Sequence, residues 1–288
     1  MRFCLAYWIS ILLLPLSVVA QTPEKSPIDW QHGPVTAKIG DQANIKVPEG
    51  MLFADAAGAK TFLQLTQNIP NGDELGVLAS ADNKWFVIFR FLDVGYVKDD
   101  EKSSLDADAM MKSIREGTEQ ANAERKSRGW ETMEIVGWVR PPHYDEATHN
   151  LEWSFEGKSE RGGPFVNQNT RYLGRRGYMS VELVLDPKDS AAVMPEYRTT
   201  LAGFAYNSDS NYRAFVRGDK VAEYGLTALV IGGAAAVATK TGLLKGLGKL
   251  LLASWKLVAI GLVGIGSFLK KLFTGRRPAG DVPPQPAE

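Results

Sequence analysis

Trp85-Phe86-Val87-Ile88-Phe89-Arg90-Phe91 is the stretch whose reading decides the fold. All of its residues but Arg90 are aromatic or β-branched, the types that pack well on a pleated surface, so it reads as a central strand within 84–94. A second strand, Glu74–Ser80, lies across the short turn-forming link Ala81-Asp82-Asn83. Working back from there, Asp55–Gln67 is predicted helical. Ala56, Ala59, Phe62, Leu63 and Thr66 share one face, Asp55 is placed to cap it, and Pro70-Asn71-Gly72 ends it. Ala37–Val47 alternates apolar positions around a Gly-Asp turn and reads as a strand or hairpin.

Working forward, Leu105–Arg128 is the longest predicted helix. Ser103 or Ser104 is its expected cap, Leu105, Ala109, Ile114, Gly117 and Ala121 form its apolar stripe, and Gly129 stops it. Four strand candidates follow: 133–140, 150–157, 166–173 and 177–185. Short turn-rich links join them, notably Pro141-Pro142-His143-Tyr144-Asp145 and Gly174-Arg175-Arg176-Gly177, which points to an antiparallel meander. A helix over Asp189–Leu201 closes the series. This order predicts an α+β fold, a mainly antiparallel sheet with packed helices, followed by a C-terminal transmembrane helical anchor.

The two ends read differently from the middle. Residues 1–20 have the form of a signal peptide: Arg2 is positive, Leu5–Leu14 is apolar, and Val18-Val19-Ala20 offers small-residue cleavage before Gln21. Residues 21–34 read as a linker, and 35–223 as an extracytoplasmic domain. Cys4, the only cysteine, falls inside the signal peptide, so the mature chain has no disulfide or thiol nucleophile. The formal net charge of zero hides an asymmetry. Between Gln21 and Glu223 there are 24 Lys and Arg against 31 Asp and Glu, a net of −7; between Tyr224 and Gly280 there are eight basic residues and no acid. The acidic part argues against nucleic acid as a partner, and the basic part suits lipid headgroups.

Residues 224–271 are the expected membrane anchor, with apolar segments 224–239 and 250–269, before a polar tail at 272–288. Gly232 and Ala236 form a small-residue pair suited to close helix contact. Lys245, Lys249, Lys256 and Lys270 fall within about 60° of one another on a continuous helix, a stripe placed for membrane contact. Two topologies follow: a hairpin of two spans, favoured by the hydrophobicity of Leu257–Leu269, or one span followed by a basic interfacial helix. Both place the main domain in the periplasm and the anchor in a bacterial inner membrane.

Chemistry is thinly signalled. His143 and His149 bracket Tyr144-Asp145-Glu146-Ala147-Thr148, so His143, Asp145 and His149 are the candidates for a metal-dependent or hydrolytic site. Their spacing matches no established ligand set, and a polar hairpin loop capped by Asp145 and Thr148 accounts for them too. Asp99-Asp100-Glu101 lacks the pattern of a calcium loop. Arg171, Arg175 and Arg176 cluster near a hairpin tip, where they are candidates for contact with an anion or a partner. There is no nucleophile elbow, phosphate loop or dinucleotide fingerprint, and no cofactor is expected.

Several stretches taken together carry a resemblance. They are Gly95-Tyr96-Val97-Lys98-Asp99-Asp100-Glu101, Gly117-Thr118-Glu119-Gln120-Ala121-Asn122, Gly137-Trp138, Pro142-His143-Tyr144-Asp145, Thr148-His149-Asn150-Leu151-Glu152-Trp153 and Thr170-Arg171-Tyr172-Leu173-Gly174-Arg175-Arg176-Gly177-Tyr178. From about Ile39 to the C-terminal apolar segments the chain resembles a bacterial family of uncharacterised membrane-anchored proteins built around a domain of unknown function. The resemblance implies a Gram-negative envelope protein and supplies no reaction or catalytic residues. The expectation is a non-enzymatic module that binds a partner or organises a complex, its partners being the lipid bilayer and another envelope protein. The alternative is a membrane-tethered enzyme using the His143, Asp145 and His149 loop.

Overall fold

Trp85–Leu92 is central because both of its faces are covered. Phe86 and Ile88 enter one apolar core, while Trp85, Val87 and Phe89 enter a second on the opposite side. A strand buried on both faces loses the apolar–polar alternation of a half-exposed one, which is why its sequence is so continuously apolar.

The computed structural model describes residues 26–231 except 67, 69 and 83. In chain order these form β1 (Gln31–His32), β2 (Val35–Ile39), β3 (Ala43–Val47), β4 (Met51–Asp55), α1 (Ala56–Leu65), β5 (Glu74–Ser80), β6 (Trp85–Leu92) and α2 (Ala107–Ser127). Then come β7 (Met133–Asp145), β8 (Asn150–Ser159), β9 (Gly163–Leu173), β10 (Tyr178–Leu185), α3 (Ser190–Leu201), β11 (Phe204–Tyr206) and α4 (Leu226–Val230). A large sheet of eight strands has the order β1-β4-β5-β6-β10-β9-β8-β7, and a small one of three has the order β11-β3-β2. Every pairing of named strands is antiparallel, as expected for the meander β7 to β10.

The first core lies under α1 and α2, where Phe62, Leu63, Met110 and Ile114 meet Phe86, Ile88, Trp153 and Phe155. Asn122 locks α2 to the start of β7: its side chain donates to Met133 O and accepts from Met133 N, both at 2.8 Å. The second core lies under the small sheet and α3, where Ile39, Ile45, Val193, Tyr197 and Leu201 meet Phe53, Leu78, Val87, Phe89 and Val181. No residue of β7 or β8 belongs to that second core. One half of the large sheet therefore stays open on that side.

Several expectations change. The cap of α2 is Asp106, whose Oδ1 accepts from Ala109 N at 2.9 Å, rather than Ser103 or Ser104. The inward face of α2 carries Met110, Met111, Thr118, Asn122 and Arg125 beside Ile114, Gly117 and Ala121, while Ala109 is exposed. Asp55 does cap α1, accepting from Ala57 N at 3.0 Å and Gly58 N at 3.1 Å.

Pro141 to Asp145 is not a link: β7 runs through it to Asp145. Proline lacks the N–H of an interior ladder but is tolerated on an edge strand, and β7 is the edge, with its register shifting around Arg140–His143. Arg115 of α2 serves the carbonyls at the first irregularity, donating to Val136 O at 2.7 Å and Ile135 O at 3.3 Å.

The expected linker is packed over its described part: Ile28 is buried in the first core and β1 pairs with β4. At the other end Leu226, Leu229 and Val230, the start of the first apolar segment, are buried in the same core. No helix among the described residues is long and apolar enough to cross a membrane. The expected signal peptide, the rest of segment 224–239, segment 250–269, Lys245, Lys249, Lys256 and Lys270, and the expected polar tail lie outside the described residues.

Candidate functional site

The open half of the large sheet forms the floor of a groove of about 720 Å³. Met194, Tyr197 and Leu201 of α3 and Phe204 and Tyr206 of β11 form the facing wall. Alternation along β8 and β9 sends Leu151, Trp153 and Phe155 into the first core and turns Asn150, Glu152 and Ser154 toward the groove. Across the ladder Asn150 faces Tyr172, Glu152 faces Thr170, and Ser154 faces Gln168. Successive rungs on one face are about 6.7 Å apart, so these three cover roughly 13 Å.

The floor is polar yet shielded: Asn150, Ser154, Gln168 and Thr170 are only 8%, 3%, 5% and 2% exposed. Thr170 Oγ1 lies 3.4 Å from Tyr197 Oη, and Gln168 Nε2 donates to Asn169 O at 3.3 Å. Asn150 Oδ1 is buried without a hydrogen-bond partner. Among the described residues, Ser154 Oγ and Gln168 Oε1 have none either. Burial pushes the phenols of Tyr172 and Tyr197 well up, so both stay protonated. Among the described residues the one ion pair of the floor and rim is Arg140 Nη1 to Glu152 Oε2 at 3.6 Å, and Arg198 of α3 lines the groove exposed and outside any ion pair.

The residues singled out by sequence are placed elsewhere, or apart. Asp145 does cap its turn: its carboxylate accepts from Ala147 N at 2.8 Å and Thr148 N at 3.3 Å, and these bonds, Ala147's first, hold its pKa below the ordinary value. His149, at φ 56°, lies against Tyr212 with ring centroids 4.5 Å apart. Tyr144 donates its hydroxyl proton to Asp99 Oδ2 at 3.0 Å, so the 3.1 Å contact with His149 Nδ1 requires the imidazole to donate. His149 Nε2 is left to accept from Arg213 Nε at 3.5 Å. Both ring nitrogens are therefore engaged. His143 sits in the edge strand opposite Glu152. Among the described residues no group of three or more His, Cys, Asp and Glu is arranged to hold a metal ion.

The three arginines do not cluster. Arg175 makes a two-pronged bond to Asp219, Nε to Oδ2 at 2.7 Å and Nη2 to Oδ1 at 2.9 Å. Arg176 donates to Gln42 Oε1 at 3.3 Å. Arg171, two residues inside the strand end, turns the other way and is buried above Trp153, 4.7 Å from the ring centroid. Its Nη2 reaches Glu182 Oε1 at 3.3 Å, while Nε and Nη1 have no partner. Arg90 occupies the same face of the sheet, bound to Asp73 through Nε and Nη2 at 2.6 Å each.

The stretch Gly95 to Glu101 forms a seam with the chain at 212–227. Gly95, at φ 96°, lies so close to the chain at Lys220–Ala222 that a Cβ would come within 2.8 Å of Lys220 O. Tyr96 stacks on Tyr212 at 4.5 Å, and Glu101 Oε2 accepts from Thr227 N at 2.9 Å, just ahead of the buried Leu229.

The residues of the groove floor were not singled out in the sequence. Their signal is polar side chains at alternate positions, 150, 152 and 154 on one strand and 168 and 170 on the next, beside strands whose same face is apolar.

Fold and groove together define an antiparallel α+β domain of unknown function with one sheet face left open. The family described as "Protein of unknown function (DUF2167)" matches residues 31–266, and the chain belongs to that family. This bears out the resemblance seen in the sequence. No curated protein matches the chain. The solution structure of cyanobacterial PsbP (CyanoP) from Synechocystis sp. PCC 6803 is similar over 68% of this chain and 99% of that one, at 12% identity and a TM-score of 0.36.

Proposed function

We propose that this chain is a non-enzymatic binding module of the bacterial envelope, anchored in the inner membrane, that takes its ligand in the groove over β7, β8 and β9. The observation that carries the reading is the row of shielded polar groups on the open half of the sheet, Asn150, Ser154, Gln168 and Thr170, with Asn150 Oδ1 buried and unmatched. A buried polar atom without a partner costs about 1–3 kcal/mol, and a ligand that supplies the partner recovers it. The groove pairs its serine with a carboxamide: Ser154 faces Gln168, which takes up no proton, so the arrangement binds rather than activates. Placement in the envelope rests on the signal peptide, the apolar segments and the basic stripe of the sequence.

Photo-crosslinking of the full chain in its native membrane tests the binding site. A benzophenone side chain at Met194, in the groove, is expected to capture a ligand or partner, while one at Val216, which is 51% exposed outside it, is not. Silence at Met194, or equal capture at both, overturns the groove as the site. Thiol labelling tests the location, since the mature chain has no native cysteine. With an impermeant reagent, Ser103→Cys labels in intact cells and Gly242→Cys only after lysis; the reverse order refutes the topology.

A further inference from the structure

We infer that the groove takes an extended peptide bearing an acidic side chain, with Arg198 as the group that binds its carboxylate; this rests on the groove being the binding site.

Arg198 is a cation that nothing in the fold answers. It stands on the face of α3 that lines the groove, is exposed, and makes no ion pair or side-chain hydrogen bond among the described residues. On a helix the positions three and four away are the near neighbours; here they are Met194, Pro195, Leu201 and Ala202, none of them acidic. Glu196 is engaged elsewhere, its Oε2 accepting from Trp85 Nε1 at 3.0 Å. Across the groove Glu152 is taken by Arg140 at 3.6 Å.

These charges decide the sign of the ligand. Arg140, Glu152 and Arg198 are the charged residues lining the groove, two bases against one acid, for a net of +1. The domain from Gln21 to Glu223 carries −7. Charges more than about 8 Å away are largely screened at physiological salt, so the local excess outweighs the acidity of the domain. A carboxylate brought into the groove meets an unpaired guanidinium, whose planar fork matches it with two bonds; a basic side chain meets no free acid.

The shape calls for a chain rather than a compact anion. Along α3 the wall runs from Ser190 to Ala202, a length of roughly 18 Å at 1.5 Å per residue. About five extended residues cover that distance. Tyr172 and Phe204 lie ring against ring with centroids 4.6 Å apart, and with Met194 they stay half-buried at the groove. They offer apolar surface to the side chains on either side of the acid.

Selection of a random hexapeptide display library on the full chain in nanodiscs tests this. The selected peptides are expected to be enriched in Asp or Glu. The best of them, made synthetically, is expected to shift the methyl NMR signal of Met194, which lines the groove, and to leave Met51 and Met179 of the second core unmoved. Arg198→Gln is expected to weaken that peptide about fivefold, as is changing the peptide's acid to its amide, and the two changes together cost little more than either alone. Glu152→Gln, which frees Arg140, is expected to strengthen it about twofold. The melting temperature of each variant is checked so that lost binding is not lost fold.

Enrichment of neutral or basic peptides overturns the inference. So does an acidic peptide that binds Arg198→Gln as tightly as the parent, or a galacturonate trimer or inorganic phosphate that binds as tightly as the peptide. If photo-crosslinks at Met194 persist while no acidic peptide is selected, the peptide assignment falls and the groove stands; if both are silent, both readings fall.

Discussion

Arg171 brings a full charge into the face of the sheet and leaves Nε and Nη1 unmatched there. Burial lowers its pKa, but a guanidinium stays protonated at neutral pH. Glu182 is the carboxylate that answers both this charge and that of Arg90. Removing it with Glu182→Ala leaves Arg171 buried without its carboxylate, while Arg90 keeps Asp73, at an expected cost of about 3–5 kcal/mol. Arg171→Met removes the charge and its unmatched donors together, keeps the volume, and leaves Glu182 accepting from Ser180 Oγ at 2.9 Å, so its expected cost is under about 1.5 kcal/mol. Denaturant midpoints of the two variants check the order; equal losses would show that the pair does not work as described.

Asp219 makes a pH-dependent contribution. The Arg175 hydrogen bond first, and the Val216 N–H after it, lower its pKa from 3.8 to about 2. A group whose folded pKa lies below its unfolded one stabilises the fold above the unfolded value. The contribution of Asp219 is therefore full above about pH 4 and fades as pH falls through 3.8 toward 2. Stability measured against pH for the parent and for Asp219→Asn is expected to converge over that window. A gap that stays constant down to pH 2 would remove Asp219 from the acid response.

At the scale of elements, the start of α2 separates two rules that the sequence leaves competing. Ser103, Ser104 and Asp106 all precede the helix within one turn, and each is a good capping type. The backbone turns helical only at Ala107, so Asp106 is the residue in position to reach Ala109 N. Asp106→Ala is expected to cost about 1 kcal/mol, and Ser103→Ala or Ser104→Ala only a few tenths. Urea unfolding of the three variants decides between them. A serine variant that loses as much as Asp106→Ala would put the cap elsewhere.

Over the whole molecule, the segment after β11 works as part of the domain. Tyr212, Leu226, Leu229 and Val230 are buried in the first core, and Arg175 with Asp219 straps the chain between them. Burying such side chains contributes about 1.5–3 kcal/mol each, so together they rival the stability of a typical domain. A chain of residues 26–206 is therefore expected to lose cooperative thermal unfolding, or to melt far below a chain of residues 26–231. Equal melting temperatures would show that the strap is dispensable.

Composition and period alone determined the antiparallel α+β class, the central strand at Trp85–Phe91, the capped helix after Asp55, and the meander from β7 to β10. Those features are local: alternation, capping types and turn residues act over a few positions, and neighbouring strands joined by short links pair with each other. The rest depended on which faces other elements cover. Pro141 and Pro142 read as a turn until β7 proved to be an edge. Arg171 read as a tip residue until alternation turned it inward, away from Arg175 and Arg176. The groove was hidden for the same reason. Gln168, Thr170 and Ser154 are ordinary strand residues in the sequence, and they become a site only because the small sheet and α3 cover half of the large sheet and stop short of β7 and β8. That boundary is set by long-range packing, which no window of sequence contains.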